Sequence, residues 1–112
     1  MWNVPTKDEL AHIPKLYASE KMSAEDTMIH MHFFFGSADW YVAEFDGEDI
    51  FFGYANLGDP MCAEWAYFSF TELKEIKVNG FEIDRNLYWQ PEKFSEIKIV
   101  WSNKINITED TK

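Results

Sequence analysis

Apolar and aromatic residues form four runs in the first two thirds of the chain, and turn residues separate them. Runs rich in β-branched and aromatic residues, bounded by Gly, Asp and Pro, predict β-strands. We place the strands at residues 27–35, 40–45, 50–55 and 63–70. Asp-Gly at positions 46–47 is a strong hairpin signal, because glycine tolerates positive φ and aspartate can bind its own turn. The second and third strands are therefore predicted to form a hairpin.

A capping motif marks the start of a short helix near the N-terminus. Thr6 and Glu9 have the spacing of a capping box, in which each side chain accepts the backbone N–H of the other residue. Pro14 cannot continue the helix, so it must be short. Leu10 and Ile13 give it one apolar edge that we expect to dock on the sheet.

The last third of the chain is less regular. A second short helix is predicted from residue 71 to residues 79–80, where glycine can take the left-handed cap. Residues 81–83 fit a brief strand and residues 91–97 a helical turn. Residues 98–107 fit either an edge strand or a loosely ordered tail. The chain is thus predicted to be one α+β domain, residues 1–112, with an antiparallel meander of four or more strands and short helices packed on one face.

Composition supports a folded domain in a reducing compartment. The chain has 112 residues, of which 46% are hydrophobic, and this is enough apolar surface for one core. Its single cysteine, Cys62, excludes an intramolecular disulfide, and we interpret it as an inert thiol. We find neither a secretion signal nor an apolar stretch long enough to span a bilayer, so we predict a cytoplasmic protein without a membrane partner.

Negative charge is concentrated in one half of the chain. The net charge is −10, and residues 22–73 contain no Lys or Arg. This charge disfavours nucleic acid and anionic lipid as direct partners and favours a basic protein surface. The acidic residues of this half are Glu25, Asp26, Asp39, Glu44, Asp46, Glu48, Asp49, Asp59, Glu64 and Glu72.

The predicted hairpin gathers several of these acids at one end. Glu44, Asp46, Glu48 and Asp49 lie in or beside its turn, and we expect Asp59 and Glu64 to join them from the next loop. Like charges so close repel one another, and a cationic partner would relieve that repulsion. The predicted partner-binding set is Glu44, Asp46, Glu48, Asp49, Asp59 and Glu64, with the aromatic residues Trp40 and Tyr41.

Two histidines offer an alternative site. His30 and His32 are two residues apart on a predicted strand, so both point to one face, and two imidazoles on one face are a minimal start for a metal site. If Phe35 pairs with Trp40, Glu44 points to the other face. A turn one residue different would bring Glu44 opposite His30. We favour the first register and predict no metal or other cofactor.

Aromatic residues of the strands must lie on both faces of the sheet, because they alternate poorly. If helices cover one face, those on the other form either a second small core under the loops or an amphipathic contact surface. The set comprises Phe33, Phe34, Phe35, Trp40, Tyr41, Phe45, Phe51, Phe52, Tyr54, Trp65, Tyr67 and Phe68.

The order of several short segments resembles the domain-of-unknown-function family 2958, whose members are short bacterial proteins often carried on phages, plasmids and conjugative elements. The resemblance covers roughly residues 5–98 and implies no activity and no functional residue, but it implies the company of mobile elements. The matching segments are TKDEL (6–10), LYASE (16–20), WYVAEFDGEDIFFGY (40–54), FTELKEI (70–76) and IDRNLYW (83–89).

These observations lead to two functional hypotheses. The first is a non-enzymatic acidic protein that binds a basic partner, for example as an inhibitor of a nucleic-acid-binding host-defence protein. The second is a small-molecule- or metal-binding domain, or an enzyme, that uses His30, His32 and Glu44. The exposed aromatic residues leave both a monomer and a homodimer open.

Overall fold

The computed structural model describes residues 1–97 of the chain. The helices are α1 (Lys7–Ala11) and α2 (Phe70–Glu75), and the strands are β1 (Met28–Ile29), β2 (Met31–Phe35), β3 (Ala38–Phe45), β4 (Ile50–Leu57), β5 (Glu64–Ser69), β6 (Lys77–Val78), β7 (Phe81–Glu82), β8 (Asp84–Arg85) and β9 (Glu92–Lys93). None of the helices in this range is long and apolar enough to cross a membrane.

An antiparallel sheet of five strands, in the order β5-β4-β3-β2-β8, forms the centre of the molecule. Strands β2 to β5 are neighbours in space as in sequence, so the predicted meander is confirmed. β1 pairs with β9 and β6 pairs with β7 in two small separate ladders. The fold class is α+β, as predicted.

The N-terminal helix begins as its sequence indicates. Thr6 Oγ1 accepts the backbone N–H of Glu9 at 3.1 Å, and Glu9 Oε1 accepts that of Thr6 at 2.9 Å. Leu10 and Ile13 are buried in the main core. The Arg85 guanidinium also donates to Glu9 Oε2 at 2.8 Å and so ties α1 to β8.

One face of the sheet, called here the helix face, carries the larger apolar cluster. Both helices contribute side chains to it, which confirms that the short helices pack on one face. Alternate residues of β3 point into it. The cluster consists of Leu10, Ile13, Met31, Phe33, Trp40, Val42, Phe45, Phe51, Phe70, Leu73 and Ile83.

The opposite face, called here the recess face, carries a second, smaller core. Tyr41 and Ala43 of β3 point into it, against Phe94 of the 3-10 helix Phe94–Glu96. Of the two alternatives for the aromatic residues, a second core is therefore present. Its buried members are Ile29, Tyr41, Ala43, Phe94 and Ile97, with Tyr54, Trp65 and Trp89 packed against them.

A β-bulge in β3 interrupts the alternation between the faces. Val42 pairs with Gly53 and Glu44 pairs with Phe52, so Ala43 is an extra residue in β3. A Cβ on Gly53 would lie 1.9 Å from the carbonyl oxygen of Tyr41, so only glycine fits there. Beyond the bulge, Glu44 points to the recess face together with Phe52.

Two details of the predicted first hairpin are wrong. The strand predicted at residues 27–35 is interrupted at His30, between β1 and β2. Phe35 pairs with Ala38 rather than Trp40, because positions 36–37 alone form the turn, with Gly36 at φ 56°. By itself, this shift of two residues would keep each side chain on its predicted face. The bulge, however, turns Glu44 to the face predicted for the histidines, so the prediction that Glu44 points to the other face is also wrong.

The region after β5 also differs from its prediction. α2 ends at Glu75, and Asn79 and Gly80 form the turn of the β6–β7 hairpin, both with positive φ. Asn-Gly is a strong signal for such a turn, so the predicted helix cap is wrong. Residues 91–97 contain β9 and the helical turn Phe94–Glu96. The open prediction for residues 98–107 lies outside the described part.

Candidate functional site

A recess of about 300 Å³ opens on the recess face, between the segment that follows α1 and the strands β4 and β5. Its wall combines aromatic rings with carboxylates and contains no Lys or Arg. We call this cavity the recess. It is lined by Tyr17, Ser19, Glu20, Met22, Ala24, Thr27, Glu44, Phe52, Trp65 and Tyr67.

Three rings from β4 and β5 form the aromatic wall of the recess. Phe52 stacks on Trp65, with ring centres 5.7 Å apart and planes at 19°. Phe52 also lies 5.0 Å from Tyr67, its direct partner across the strands. Trp65 contacts Phe94 of the smaller core at 4.8 Å, and this contact helps to fix the position of the wall.

Glu44 forms the polar part of the recess, and the bulge places it there. Its Oε1 accepts the backbone N–H of Tyr17 at 2.8 Å, and its Oε2 accepts the backbone N–H of Ser19 at 2.8 Å and the Ser19 hydroxyl. The residue is only 3% exposed. A carboxylate can accept on both oxygens, so Glu44 holds the otherwise irregular segment after α1 against the sheet.

Tyr17 covers the recess in a backbone conformation that side chains rarely adopt. Its φ is 69°, in the left-handed region, which is uncommon for a bulky residue. In this conformation its backbone N–H donates to Glu44 Oε1 at 2.8 Å. The Tyr17 ring is exposed, so the strained backbone keeps an aromatic side chain at the mouth of the recess.

The electrostatic environment of the recess is negative. The pKa of Tyr67 is raised, first by the neighbouring Tyr17 hydroxyl and by burial, and then by the negative charges of Glu44 and Glu20. Because the lining contains the carboxylates of Glu20 and Glu44 and no Lys or Arg, a positive group is favoured in the recess. The recess therefore offers ring faces and negative potential together.

Asp46 and Asp49 of the predicted binding set have structural roles in the hairpin. Asp46 Oδ1 accepts the backbone N–H groups of Glu48 and Asp49 at 2.8 Å and that of Ile50 at 3.0 Å. Asp49 Oδ1 accepts the Thr71 N–H and hydroxyl at the start of α2. The three backbone N–H groups hold the pKa of Asp46 below its ordinary value, and the hydroxyl of Ser69, followed by the Thr71 groups, does the same for the pKa of Asp49.

Three other residues of the predicted binding set are not on the surface. Trp40 is 7% exposed, Tyr41 is 1% exposed and Glu44 is buried. Trp40 belongs to the core of the helix face and Tyr41 to that of the recess face. The prediction that these three contact a partner at the surface is therefore corrected, although Glu44 does line the recess.

Asp59 and Glu64 are exposed, but they do not join the acids of the hairpin turn. They follow the far end of β4, a strand of eight residues, or about 25 Å, from Asp46 and Glu48. Asp59 caps the 3-10 helix Pro60–Cys62 and accepts the Cys62 thiol at 3.4 Å. The predicted single acidic end is thus divided between the two ends of the hairpin.

His30 and His32 are not assembled with Glu44. His32 Nε2 lies 2.7 Å from Asp39 Oδ1, and its ring stacks on Tyr41 with centres 4.7 Å apart. Glu44 binds Tyr17 and Ser19 instead. Within residues 1–97, no group of three or more His, Cys, Asp or Glu side chains is arranged to hold a metal ion.

Sequence reasoning missed the recess because it missed the bulge. An isolated glycine inside a predicted strand signals a bulge or a close backbone approach, and Gly53 is that signal. A bulge predicted from Gly53 would have placed Glu44 on the same face of the sheet as Phe52. No comparable signal marks Tyr17, whose position depends on contacts distant in sequence.

Comparison with known proteins adds a family but no activity. The model of a family described as "Protein of unknown function (DUF2958)" matches residues 6–103. Neither curated proteins nor solved structures gave a match to the chain.

Proposed function

Because the chain belongs to the DUF2958 family of proteins of unknown function, we propose its role from the recess: a non-enzymatic binding protein that receives a cationic side chain of a basic partner. The observation that carries this proposal is the combination of aromatic rings and carboxylates around one cavity whose lining has no base. The ligand class is an ammonium or guanidinium group.

The physical basis is the attraction of a cation to the faces of aromatic rings. Such contacts contribute about 0.5–1 kcal/mol when exposed and about 2 kcal/mol when water is excluded. The ring centre of Phe52 lies within 6 Å of those of Trp65 and Tyr67, and Tyr17 stands at the mouth. Glu20 and Glu44 add negative charge, so a cation gains more here than a neutral group of equal size.

The charge of the whole chain supports a protein partner rather than a free metabolite. With a net charge of −10, the molecule attracts a basic surface and accelerates its encounter. A nucleic-acid-binding protein presents such a surface. Because the family resemblance implies that such proteins are carried on mobile elements, the proposed role is that of a cytoplasmic inhibitor. This inhibitor would occupy the surface that the partner uses to bind nucleic acid.

We prefer binding to the catalytic alternative because of how the polar groups are already engaged. Both oxygens of Glu44 accept hydrogen bonds from the segment after α1, and His32 is buried against Asp39 and Tyr41. These groups stabilise the fold around the recess. They do not converge on a position where a reacting atom would lie.

The test measures the binding of isolated cations to the recess. Titration with Nα-acetyl-lysine methylamide, its trimethylated form and the arginine equivalent should change the fluorescence of Trp65 and shift its indole resonance. The neutral norleucine and citrulline equivalents should have little effect. Phe52→Ala should weaken cation binding about fivefold, the equivalent of about 1 kcal/mol.

Glu48→Gln supplies the matched control, because it removes an exposed acid that does not line the recess. It should leave binding of the small cations unchanged, whereas Glu20→Gln should weaken it. Equal binding of cationic and neutral compounds, or equal effects of these two variants, would contradict the proposal.

A further inference from the structure

Strand β5 has a free edge beside the recess. Within the described residues it pairs only with β4, as the outermost strand of the sheet. The Phe70 N–H donates to Asp49 O at 2.8 Å, so the backbone N–H of Phe70 points to the β4 side. Backbone groups in an antiparallel strand alternate between its two sides. Those of Trp65, Tyr67 and Ser69 therefore point away from β4.

Within residues 1–97, this edge has few of the features that natural proteins use to block an edge strand. Such features are charged side chains, above all Lys, together with Pro residues, bulges and very short length. The one charged side chain of β5 is Glu64, at its first position. β5 has six residues, contains no Lys, Arg or Pro, and pairs with β4 without a register shift. The opposite edge of the sheet is β8, which has only two residues. The two edges thus differ in their capacity to accept another strand.

The edge and the recess share residues. Trp65 and Tyr67 direct unpaired backbone groups outward in the plane of the sheet, and their side chains line the recess above that plane. A residue directly opposite Tyr67 on an added strand would place its side chain on the same face, with Cβ atoms about 5 Å apart. That side chain would lie next to the recess.

We propose that the partner contributes an extended basic segment, which pairs with β5 as a sixth strand and places a Lys or Arg side chain in the recess. This inference rests on the proposed function and adds the mode of recognition to it. Main-chain hydrogen bonds then supply affinity, and the recess supplies selectivity for a cation.

Charge distinguishes this occupant from a second copy of the chain. A copy would bring another net charge of −10 against the same face. It would also bring its own Glu64, which is the one charged residue of β5, and a recess that already contains Glu20 and Glu44. A basic segment neutralises these charges instead.

The faces of the sheet also specify the pattern of the segment. Positions opposite Trp65 and Tyr67 face the recess side, where positive charge is favoured. Positions opposite Ala66 and Phe68 face the helix side, where Phe68 packs against the main core. The expected ligand alternates basic and apolar residues, and this pattern also favours the extended conformation.

The test uses the full chain and a short peptide of alternating lysine and valine. Binding should be at least about tenfold tighter than that of a peptide with the same composition but with its lysines and valines in separate blocks. Methylation of the peptide's backbone nitrogens on the pairing side should weaken binding by at least about tenfold, because it removes the hydrogen bonds of the added strand. Phe52→Ala should weaken binding of the alternating peptide as well.

Amide exchange gives an independent readout on β5. In the free protein the amides of Trp65, Tyr67 and Ser69 should exchange faster than those of Ala66 and Phe68, and the peptide should protect them. Protection before any peptide is added would show that the edge is already occupied, by this chain or by a copy, and would overturn the inference.

The outcomes separate this inference from the proposed function. If isolated cations bind but methylation of the peptide backbone has no effect, the recess binds cations without strand addition and only the inference fails. If neither the isolated cations nor the alternating peptide binds, the proposed function itself fails. If Phe52→Ala does not change the affinity for the peptide, the inference that a Lys or Arg side chain of the peptide occupies the recess is also wrong.

Discussion

The two faces of the central sheet close in different ways, and two neighbouring residues of β4 show the difference. Phe51 is fully buried on the helix face, and its ring lies 4.9 Å from that of Phe45 and 5.5 Å from that of Phe70. Phe52, on the recess face, contacts Trp65 and Tyr67 but remains partly exposed. One ring completes a core, whereas the next leaves a surface that a ligand can contact.

The difference arises from what covers each face. Apolar side chains of α1 and α2 cover the helix face, so that burial of apolar area stabilises it. On the recess face, beside the smaller core, the Glu44 carboxylate holds the segment after α1 in place by accepting two of its backbone N–H groups. Because hydrogen bonds to Glu44 hold this segment, fewer apolar side chains are needed to attach it to the sheet. This arrangement leaves room for the recess and supplies its charge.

The first prediction compares the two phenylalanines directly. Phe51→Ala should lower the free energy of unfolding by about 4 kcal/mol, because it leaves a cavity in a closed core. Phe52→Ala should lower it by about 1 kcal/mol, because its ring is only partly buried. Chemical denaturation of both variants checks this. Equal losses would show that the recess face is as closed as the helix face.

The second prediction concerns the bulge that connects the two faces. Gly53→Ala should destabilise by about 3 kcal/mol, because its Cβ would lie 1.9 Å from the Tyr41 carbonyl oxygen and the backbone must move. Gly47→Ala is the control, since a Cβ at Gly47 meets nothing within 4 Å and only its φ of 92° is unfavourable. In thermal unfolding, the melting temperature of Gly53→Ala should be well below that of Gly47→Ala. The reverse order would contradict the bulge.

Local signals predicted much of the fold. The capping box at Thr6, the Asp46-Gly47 turn and the aromatic strands each depend on residues close in sequence, and the structure has all three. The even shift between the predicted and observed β2–β3 registers left the predicted faces correct as far as the bulge, beyond which Glu44 changes face. Asn79-Gly80 is also a local signal, but it forms a hairpin turn in the structure and not the predicted helix end.

The recess depends on contacts that no short pattern contains. Tyr17 meets Glu44 across 27 positions of the chain, and Trp65 meets Phe94 across an even longer separation. The acidic residues look alike in the sequence, although Glu44 anchors a segment, Asp49 accepts the Thr71 N–H at the start of α2 and Glu48 is exposed. Burial and hydrogen bonding, which the fold determines, distinguish their roles.

The third prediction separates the anchor from an exposed acid. Glu44→Gln should lower the free energy of unfolding by about 2 kcal/mol, because an amide has one acceptor oxygen where the Tyr17 and Ser19 groups need two. Glu48→Gln, on the solvent side of the hairpin, should change it by less than about 0.5 kcal/mol. Denaturant titration measures both.

The same pair of variants also tests where Glu44 acts. Proteolysis should cut the segment near Tyr17 faster in Glu44→Gln than in the native chain, since this segment loses its anchor. Unchanged stability and unchanged cleavage in Glu44→Gln would show that the carboxylate does not hold the recess face together.

The last and smallest effect concerns acid pH on the helix face, where Arg85 and the Thr6 N–H lower the pKa of Glu9 to about 2 from an ordinary value of about 4.5. A carboxyl whose pKa is lower in the folded state stabilises the fold above its unfolded value, and this stabilisation is lost as the pH falls through the folded value. The native chain should therefore melt higher than Glu9→Gln at neutral pH. The gap should narrow below about pH 4.5 and close near pH 2.

Asp46 and Asp49 also have lowered pKa values, so both proteins will lose stability in acid, and only the difference between their melting temperatures reports on Glu9. The Glu9 carboxylate is exposed, so added salt should reduce this difference. A gap that stays constant from neutral pH to pH 2 would show that Arg85 and Glu9 do not form a stabilising ion pair between β8 and α1.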